Sequence, residues 1–265
     1  MTAQRISVRS LMRETLAAIG SIYAPLLVIN FVQLLIVIVL EKQLAGLSVA
    51  VNIIYWLSAA PLLLGAMIFY IYRSLTENEV TVGESFKQAS RRFLQLILAN
   101  IPNLISVLLA YALLMNGLVE FMVNAFNQGG GRWLEFILDN NPGGFGAIFL
   151  APGLIFIIFL WSSLVFRLTF SLYGTIIDNN SALHSISSSW KITKGRFWLM
   201  CRSTLLVSFV VVVPILLITT LISSTGNLLV FQPVINVLAF LSAPLVNVYL
   251  VLLYLRLRDS AATIQ

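Results

Sequence analysis

The stretch Ile22-Tyr-Ala-Pro-Leu-Leu-Val-Ile-Asn-Phe-Val-Gln-Leu-Leu-Ile-Val-Ile-Val-Leu40 decides the fold of this chain. It runs for 19 residues without a charged side chain, which is close to the length that an α-helix needs to cross a hydrocarbon layer of about 30 Å. Arg5, Arg9 and Arg13 precede it, as in a signal peptide, but the run is long for a signal core and no small-residue cleavage site follows. We therefore expect a retained membrane-spanning helix.

Five further stretches of similar length and composition follow the first. Apolar residues make up 59% of the chain and charged residues only 10%, whereas charged residues make up about 25% of soluble domains. Strands of a membrane barrel would alternate apolar and polar side chains, but these stretches are apolar nearly throughout, which indicates helices. The sequence therefore predicts one all-α, polytopic integral membrane domain over residues 1–265, with little length left for a soluble catalytic domain. Its six predicted transmembrane helices are residues 22–40, 50–72, 94–114, 145–166, 204–222 and 230–255.

The lysine and arginine residues predict how these spans are oriented. Thirteen of the 16 fall on one side of the predicted spans, while Lys42 and Arg132 lie in loops on the other side and Arg167 ends the fourth span. Because basic loops stay in the cytoplasm, we expect a multi-pass protein with its N- and C-termini in the cytoplasm. We expect it in a bacterial inner membrane or an internal membrane derived from it. The net charge of +6 then indicates membrane lipids with anionic headgroups, rather than nucleic acid, as partners. The thirteen are Arg5, Arg9, Arg13, Arg73, Lys87, Arg91, Arg92, Lys191, Lys194, Arg196, Arg202, Arg256 and Arg258.

Three short basic, amphipathic segments each precede a predicted pair of spans. They cover residues 10–19, 84–93 and 187–197, and they predict three cytoplasmic amphipathic helices in a three-fold repeat of amphipathic helix plus helical hairpin. Thr81 and Glu84 match a capping box at the start of the second segment. A basic segment before any span would look similar, so the repeat is a hypothesis. In the long extracytoplasmic loop 116–144, Trp133 indicates either a short interfacial helix or a flexible connection.

Few residues in the chain could carry catalysis or hold a metal. His184 is the only histidine and Cys201 the only cysteine, so neither a histidine-based metal cluster nor an internal disulfide can form. Neither a phosphate-binding loop nor a serine nucleophile elbow is present in the sequence. We therefore expect no catalytic residue, no metal and no cofactor.

Arginines next to the spans are candidates for binding anions. Arg167 ends the fourth span and Arg202 precedes the fifth, where they could reach the cytoplasmic headgroups separately or form a phosphate or carboxylate site together. The basic residues of the second and third amphipathic segments are further candidates for contact with lipid or another anion. These are Lys87, Arg91, Arg92, Lys191, Lys194 and Arg196.

Polar and proline residues inside the spans allow two interpretations. Asparagines such as Asn30, Asn100 and Asn247 could form hydrogen bonds between helices or line a substrate path. Every predicted span also contains proline, which kinks helices and frames binding sites in transporters. Kinked packing is the simpler interpretation, and a cavity is the alternative. The prolines are Pro25, Pro61, Pro102, Pro152, Pro214, Pro233 and Pro244.

A segment near the middle of the second half resembles the signature of a known family. It reads Tyr173-Gly-Thr-Ile-Ile-Asp-Asn-Asn-Ser-Ala-Leu-His-Ser-Ile-Ser-Ser-Ser-Trp-Lys-Ile-Thr-Lys-Gly-Arg-Phe-Trp198. The acidic turn, the alanine-leucine helix, Ser-Trp and the basic Gly-Arg-Phe run are similar to the glycerophosphodiester phosphodiesterase membrane-domain family and its YciC-like relatives. The closing segment Leu252-Leu-Tyr-Leu-Arg-Leu-Arg258 is similar too, with Arg256 where an aspartate is common. The motif residues are Ser189, Trp190, Thr193, Gly195, Arg196 and Phe197.

The resemblance implies a six-span membrane module, which in some members is fused to a soluble phosphodiesterase domain. The metal-binding residues of that domain are absent from this sequence, so the resemblance implies no activity. We expect a non-enzymatic module that anchors, scaffolds or regulates a protein partner at the cytoplasmic face. The alternative is a transporter or lipid-handling protein with a proline-kinked cavity near Arg167 and Arg202. An intramembrane enzyme is a third hypothesis, for which the sequence offers no catalytic constellation.

Overall fold

The computed structural model describes residues 6–43, 54–76, 80–106, 108, 164–165, 167–224 and 231–262. Within these ranges every regular element is a helix and no strand occurs, as the sequence predicts. A helical turn over residues 54–57 precedes the second helix, and a turn at Ser58 joins the two. In chain order the helices are α1 (Val8–Gln43), α2 (Ala59–Thr76), α3 (Val82–Arg91), α4 (Phe93–Ser106), α5 (167–176), α6 (Ala182–Thr193), α7 (Phe197–Ser224) and α8 (Phe231–Ala262).

Three segments of the described chain are long and apolar enough to cross a membrane. They are Val8–Ile36, Ile54–Thr76 and Val237–Ala262, and two shorter apolar helices cover Phe93–Ser106 and Phe197–Val211. The predicted all-helical class with membrane-spanning helices is confirmed to this extent. The predicted loop 116–144, and the predicted span 145–166 apart from residues 164–165, lie outside the described residues.

The helices expose large apolar side chains on their outer faces. Phe209 in α7 is 67% exposed and Leu94 in α4 is 66% exposed. A continuous apolar surface of this kind is costly in water but matches the hydrocarbon of a bilayer. Further exposed apolar side chains along α1, α7 and α8 are Leu16, Val28, Phe31, Leu35, Leu205, Leu217, Val237 and Leu241.

The first amphipathic segment differs from its prediction, because it is not a separate surface helix. Residues 10–19 form the beginning of α1, which continues without a break into the first predicted span. Gly20 is the only weak helix former at that junction, and a single glycine inside a helix is tolerated. In contrast, α6 ends before Gly195, whose φ of +74° takes the chain out of the helix before α7 begins. Two of the three predicted amphipathic helices, α3 and α6, are therefore separate elements.

Helix α8 lies at the centre of the bundle and packs against α1, α2, α6 and α7. It runs antiparallel to α1, since Glu14 near the start of α1 pairs with Arg256 at 3.0 Å, whereas Asn30, further along α1, donates to the earlier Phe240 carbonyl at 3.3 Å. The core that these helices enclose is apolar and aromatic. Its largest fully buried side chains include Tyr173, Tyr249, Tyr254, Phe170, Leu26, Ile29, Leu63 and Met67.

Polar side chains inside the helices fasten neighbouring segments together. Asn100 donates to the Trp56 carbonyl at 3.0 Å, and Ser171 in α5 donates to the Ala99 carbonyl in α4 at 2.9 Å. Asn247 in α8 contacts the Met67 sulfur in α2 at 2.9 Å. With little hydrophobic drive between helices in lipid, such hydrogen bonds help to fix their packing. The interpretation of these asparagines as packing residues is therefore confirmed.

Two glycines permit close approach between helices. A Cβ on Gly65 in α2 would lie 2.7 Å from Leu96 Cδ1 in α4, so only glycine fits there without a shift. A Cβ on Gly174 in α5 would lie 3.3 Å from the Tyr254 hydroxyl oxygen in α8. Prolines do not end the long helices, because α1, α7 and α8 continue through Pro25, Pro214 and Pro244 respectively.

Candidate functional site

The chain segments meet in a set of polar contacts at one end of the bundle. This terminal polar cluster comprises Arg92, Asp178, Asn179, Ser189, Arg196, Tyr254 and Arg258. Its centre is Asp178, in the turn between α5 and α6. One Asp178 oxygen accepts from Arg258 Nη1 at 2.9 Å, and the other accepts from the Tyr254 hydroxyl. The carboxylate therefore ties the turn to the last helix at two points.

The same turn is held from the other side by the α3–α4 junction. Arg92, in the turn between these helices, donates to the Asn179 side-chain oxygen. Asn179 has a φ of 59°, a left-handed conformation that asparagine tolerates better than most residues. The Gln95 side chain accepts from the Ala182 backbone N–H at 2.9 Å. Ser181 at the cap position makes no side-chain capping bond, so Gln95 satisfies one of the free N–H groups at the start of α6.

Inside α6, the motif residues hold the start of α5. Ser189 is 1% exposed and its hydroxyl donates to the Arg167 carbonyl. The Arg167 guanidinium carbon lies 5.3 Å from the centre of the Trp190 ring, within the range of a cation–π contact. Thr193 is fully buried and donates back to the Ser189 carbonyl at 2.7 Å. The Ser-Trp part of the motif is therefore a packing contact between α5 and α6.

The Gly-Arg-Phe part of the motif joins α6 to α7 and to the end of the chain. Gly195 allows the turn, and Arg196 reaches across to α8, where Nη1 donates to the Ser260 hydroxyl and lies 3.4 Å from the Leu257 carbonyl. Phe197 begins α7 and packs edge-on against Trp198 at a ring-centre distance of 5.5 Å. Partial burial lowers the pKa of the Arg196 guanidinium from its ordinary value, because burial disfavours the charged form.

Two open grooves share Arg196 in their linings. The first, which we call the His184 groove, has a volume of about 620 Å³ and lies between α6 and the end of α8. The second, which we call the Trp198 groove, has a volume of about 750 Å³ and lies between the starts of α1 and α7 and the end of α8. The basic residues of the His184 groove are Lys191, Lys194, Arg196 and Arg258. The Trp198 groove is lined by Ile6, Ser7, Val8, Arg9, Gly195, Arg196, Trp198, Leu199, Arg202 and Ser260.

The predicted anion-binding residues are distributed unevenly over this end of the bundle. Lys191, Lys194 and Arg196 line the His184 groove, as a basic site requires. Arg202 is exposed and lines the Trp198 groove, whereas Arg167 lines neither of these two grooves and lies instead over Trp190. The two grooves therefore do not join these two arginines in one site.

The second amphipathic segment carries its charges on an outer face. Lys87 and Arg91 in α3 are exposed, while Ser85 and Ala89 on the opposite face are buried. The capping box at its start is present, since Thr81 N–H donates to a Glu84 oxygen at 2.9 Å and Glu84 N–H donates to the Thr81 hydroxyl at 3.2 Å. Arg92 is half-buried and donates to the Asn179 side-chain oxygen.

Sequence reasoning did not single out Arg9, Arg258, Asp178 or Tyr254 as site residues. In the sequence, Arg9 and Arg258 are recognisable only as basic residues, and Asp178 only as part of an acidic turn. Asp178 is 76 and 80 positions from its partners Tyr254 and Arg258, so no local pattern indicates this contact. Arg9 shares a groove with Arg196 and Arg202, which are nearly 190 or more positions away. A second ion pair of this kind joins Arg256 to Glu14 at 3.0 Å, with both side chains well exposed.

The described residues offer no group of three or more histidine, cysteine, aspartate or glutamate side chains that could hold a metal ion. His184 is exposed in the lining of its groove, and Cys201 is buried at the start of α7. No protein-family model matches this chain, and neither the curated proteins nor the solved structures contain a match. We therefore infer the function from the geometry of the terminal polar cluster and the two grooves.

Proposed function

We propose that this chain is a non-enzymatic, six-span integral membrane module with both termini in the cytoplasm. In this proposal it anchors, scaffolds or regulates a partner at the cytoplasmic face. The proposal is supported by the motif from Ser189 to Phe197, which resembles that of the glycerophosphodiester phosphodiesterase membrane-domain family, and by the absence from the sequence of that family's catalytic domain.

The clustering of charge at one end of the bundle carries this proposal. The starts of α1 and α7 and the end of α8 line one groove, so segments that were predicted on the cytoplasmic side meet in space. The exposed side chains of Lys87 and Arg91 lie in the helix just before Arg92 of this cluster. Neither forms an ion pair within 4 Å among the described residues, although Glu84 lies near enough to Lys87 to interact with its charge. Basic loops remain on the cytoplasmic side during insertion, which supports the proposed orientation.

The rigidity of the terminal polar cluster supports a scaffold. Asp178 and Arg92 hold one turn from two sides, and Arg196 holds the next junction to the end of α8. Each contact joins segments far apart in sequence, so the exposed cations are carried on a fixed surface. A fixed basic surface suits an acidic partner, because complementary charge gives specificity and speeds association.

Capture of a protein partner tests this function. The protein is purified in mild detergent and everything bound to it is identified by mass spectrometry. We expect one protein partner at fixed stoichiometry, lost in K87E/R91E and retained in the charge-preserving variant K87R/R91K. Recovery of the same partner with K87E/R91E, or of no partner in the native preparation, would contradict the scaffold.

Accessibility of the termini tests the orientation separately. Short tags are attached to the N- and C-termini, and protease is added to sealed vesicles of known orientation. We expect both tags to be cut from the cytoplasmic face only. Cleavage of the two tags from opposite faces would contradict an even number of spans.

A second candidate function is lipid handling, and the Trp198 groove favours it. This groove combines arginines with an exposed tryptophan and half-buried aliphatic side chains, as a site for an amphiphile would. A proteoliposome assay that measures the transfer of lipid between leaflets would distinguish a protein that moves lipid from one that only binds it. Transfer that stops in R9Q/R202Q would favour this second function over a scaffold.

A further inference from the structure

The Trp198 groove differs from the rest of the basic surface because it combines positive charge with apolar side chains. Among the residues that the structure describes, three arginines, Arg9, Arg196 and Arg202, line it, and none of these described lining residues is acidic. Arg9 and Arg202 are exposed and have no ion-pair partner in the described parts of the chain. The groove is therefore positively charged and open to an anion.

Arg196 is fixed in the lining of this groove rather than free in solvent. Its side chain is held by the Ser260 hydroxyl and the Leu257 carbonyl, both on α8. Neither of these partners neutralises its charge. A guanidinium that is partly buried and unneutralised is stabilised by an anion that also accepts its remaining N–H groups, and arginine suits phosphate oxygens particularly well.

The apolar half of the groove indicates that the ligand is not a simple inorganic anion. Trp198 is 72% exposed, and Leu199 and Val8 lie beside it in the lining. Exposed tryptophan is favoured at the depth of lipid headgroups, where its ring contacts both apolar and polar groups. A ligand that contacts both the arginines and the apolar side chains of the groove therefore carries a phosphate next to an apolar part.

The size of the groove fits such a ligand. Its volume of about 750 Å³ falls in the range of about 300–1,000 Å³ found for sites that bind small molecules. The other groove is less suitable, because one of its cations, Arg258, is already paired with Asp178 at 2.9 Å. The Trp198 groove also lies where the ends of three helices meet, next to the exposed apolar surface of α7.

The geometry points to the Trp198 groove as a binding site for an anionic phospholipid. In this assignment Arg9, Arg196 and Arg202 bind the headgroup phosphate, and Trp198 and Leu199 contact the glycerol and the first carbons of the acyl chains. The site depends on the proposed function in one respect, namely that the terminal polar cluster lies at the depth of the lipid headgroups.

Native mass spectrometry with added lipid tests this site. The purified full chain in mild detergent is titrated with phosphatidylglycerol and, separately, with phosphatidylcholine. We expect a saturable phosphatidylglycerol adduct, and about 30-fold weaker binding in R9Q/R202Q, since each cation near an anionic headgroup contributes about fivefold. The control R13Q/R73Q also loses two charges, at residues outside the groove that are assigned to no binding surface, and should bind as the native chain does.

Three outcomes would overturn the site. They are equal binding of the two lipids, equal weakening in R13Q/R73Q, and native binding in R9Q/R202Q at unchanged thermal stability. Displacement of phosphatidylglycerol by about millimolar inorganic phosphate would assign the groove to a free phosphate instead. An acidic protein captured by the native chain but not by R9Q/R202Q would assign it to a protein partner.

A fluorescence measurement separates failure of the site from failure of the membrane placement. In vesicles that contain brominated lipid, the difference in quenching between the native chain and W198F reports on Trp198 alone. Quenching of Trp198 without preference for phosphatidylglycerol would overturn the site and leave the proposed placement intact. Absence of Trp198 quenching would contradict the placement itself.

Discussion

The Arg258 guanidinium donates to the Asp178 carboxylate at 2.9 Å, although the two residues are 80 positions apart. Asp178 follows α5 and Arg258 lies near the end of α8, so this one contact holds the end of the chain against the turn before α6. Tyr254 donates to the second carboxylate oxygen. The residue that the sequence showed only as part of an acidic turn thus organises the polar end of the bundle.

We expect D178N to destabilise the fold by about 1–3 kcal/mol. The substitution replaces charge-assisted hydrogen bonds to a half-buried carboxylate, and such bonds contribute about 1.5–3 kcal/mol before allowance for solvent. The measurement is thermal unfolding in mild detergent, with R258Q and the double variant completing a cycle. We expect the two effects to be non-additive, because both variants remove the same contact.

The ion pair between Glu14 and Arg256 is the matched control for that prediction. It joins α1 to α8 at 3.0 Å, but the Arg256 side chain is 51% exposed and the Glu14 side chain 39%. Exposed ion pairs contribute about 0–1 kcal/mol, so E14Q should change stability less than D178N. Equal effects of E14Q and D178N would mean that the Asp178 contact has no special role.

The sequence predicted the parts of the fold that depend on local pattern. Apolar runs gave the membrane-spanning helices, and Thr81 with Glu84 gave the start of α3, since both signals lie within a few residues. The prediction of a separate surface helix over residues 10–19 was wrong, because this basic amphipathic segment continues directly into the first apolar stretch as one helix. The number of spans and the three-fold repeat stay predictions.

We expect S189A to weaken the packing of α5 against α6. Ser189 is buried and its hydroxyl donates to the Arg167 carbonyl, so alanine leaves a partly buried acceptor without that donor. The expected cost is about 1–3 kcal/mol, measured by thermal unfolding. S187A is the control, since Ser187 is exposed on the same helix and its loss should cost under about 0.5 kcal/mol. An unchanged thermal stability in S189A would contradict a packing role for the motif serine.

The site was less predictable than the fold, because its residues meet only in three dimensions. The charges of Arg196 and Arg202 were visible in sequence, but the Trp198 groove also needs Arg9 from the start of the chain. The stacking of Arg167 on Trp190 could not be read from a separation of 23 positions. Long-range polar contacts of this kind have no periodicity, which is the signal that sequence analysis uses.

We expect the Glu84 carboxyl to titrate below its ordinary pKa of 4.5, because the Thr81 backbone N–H and then the Thr81 hydroxyl stabilise the charged form. Since the folded pKa lies below the unfolded one, the capping contact is complete above about pH 4.5 and is lost as the pH falls through the folded pKa. Carboxyl chemical shifts in the detergent-solubilised protein measure this. T81A should move the midpoint part of the way back, and a native midpoint at or above 4.5 would contradict the capping contact.

Glycine is needed at position 195 because the backbone there is left-handed, and not because a larger side chain would clash with a neighbour. Its φ is +74°, yet no atom lies within 4 Å of a Cβ built there. We expect G195A to destabilise the fold by about 1–2 kcal/mol, the strain of a left-handed residue, and G195N to cost less. G20A is the control, because Gly20 is an exposed glycine inside α1 with equal free space. Alanine there should stabilise the helix by about 0.5–1 kcal/mol. The test is the thermal unfolding temperature of the three variants. If G195A and G20A change this temperature in the same direction, the α6–α7 turn does not depend on a left-handed residue.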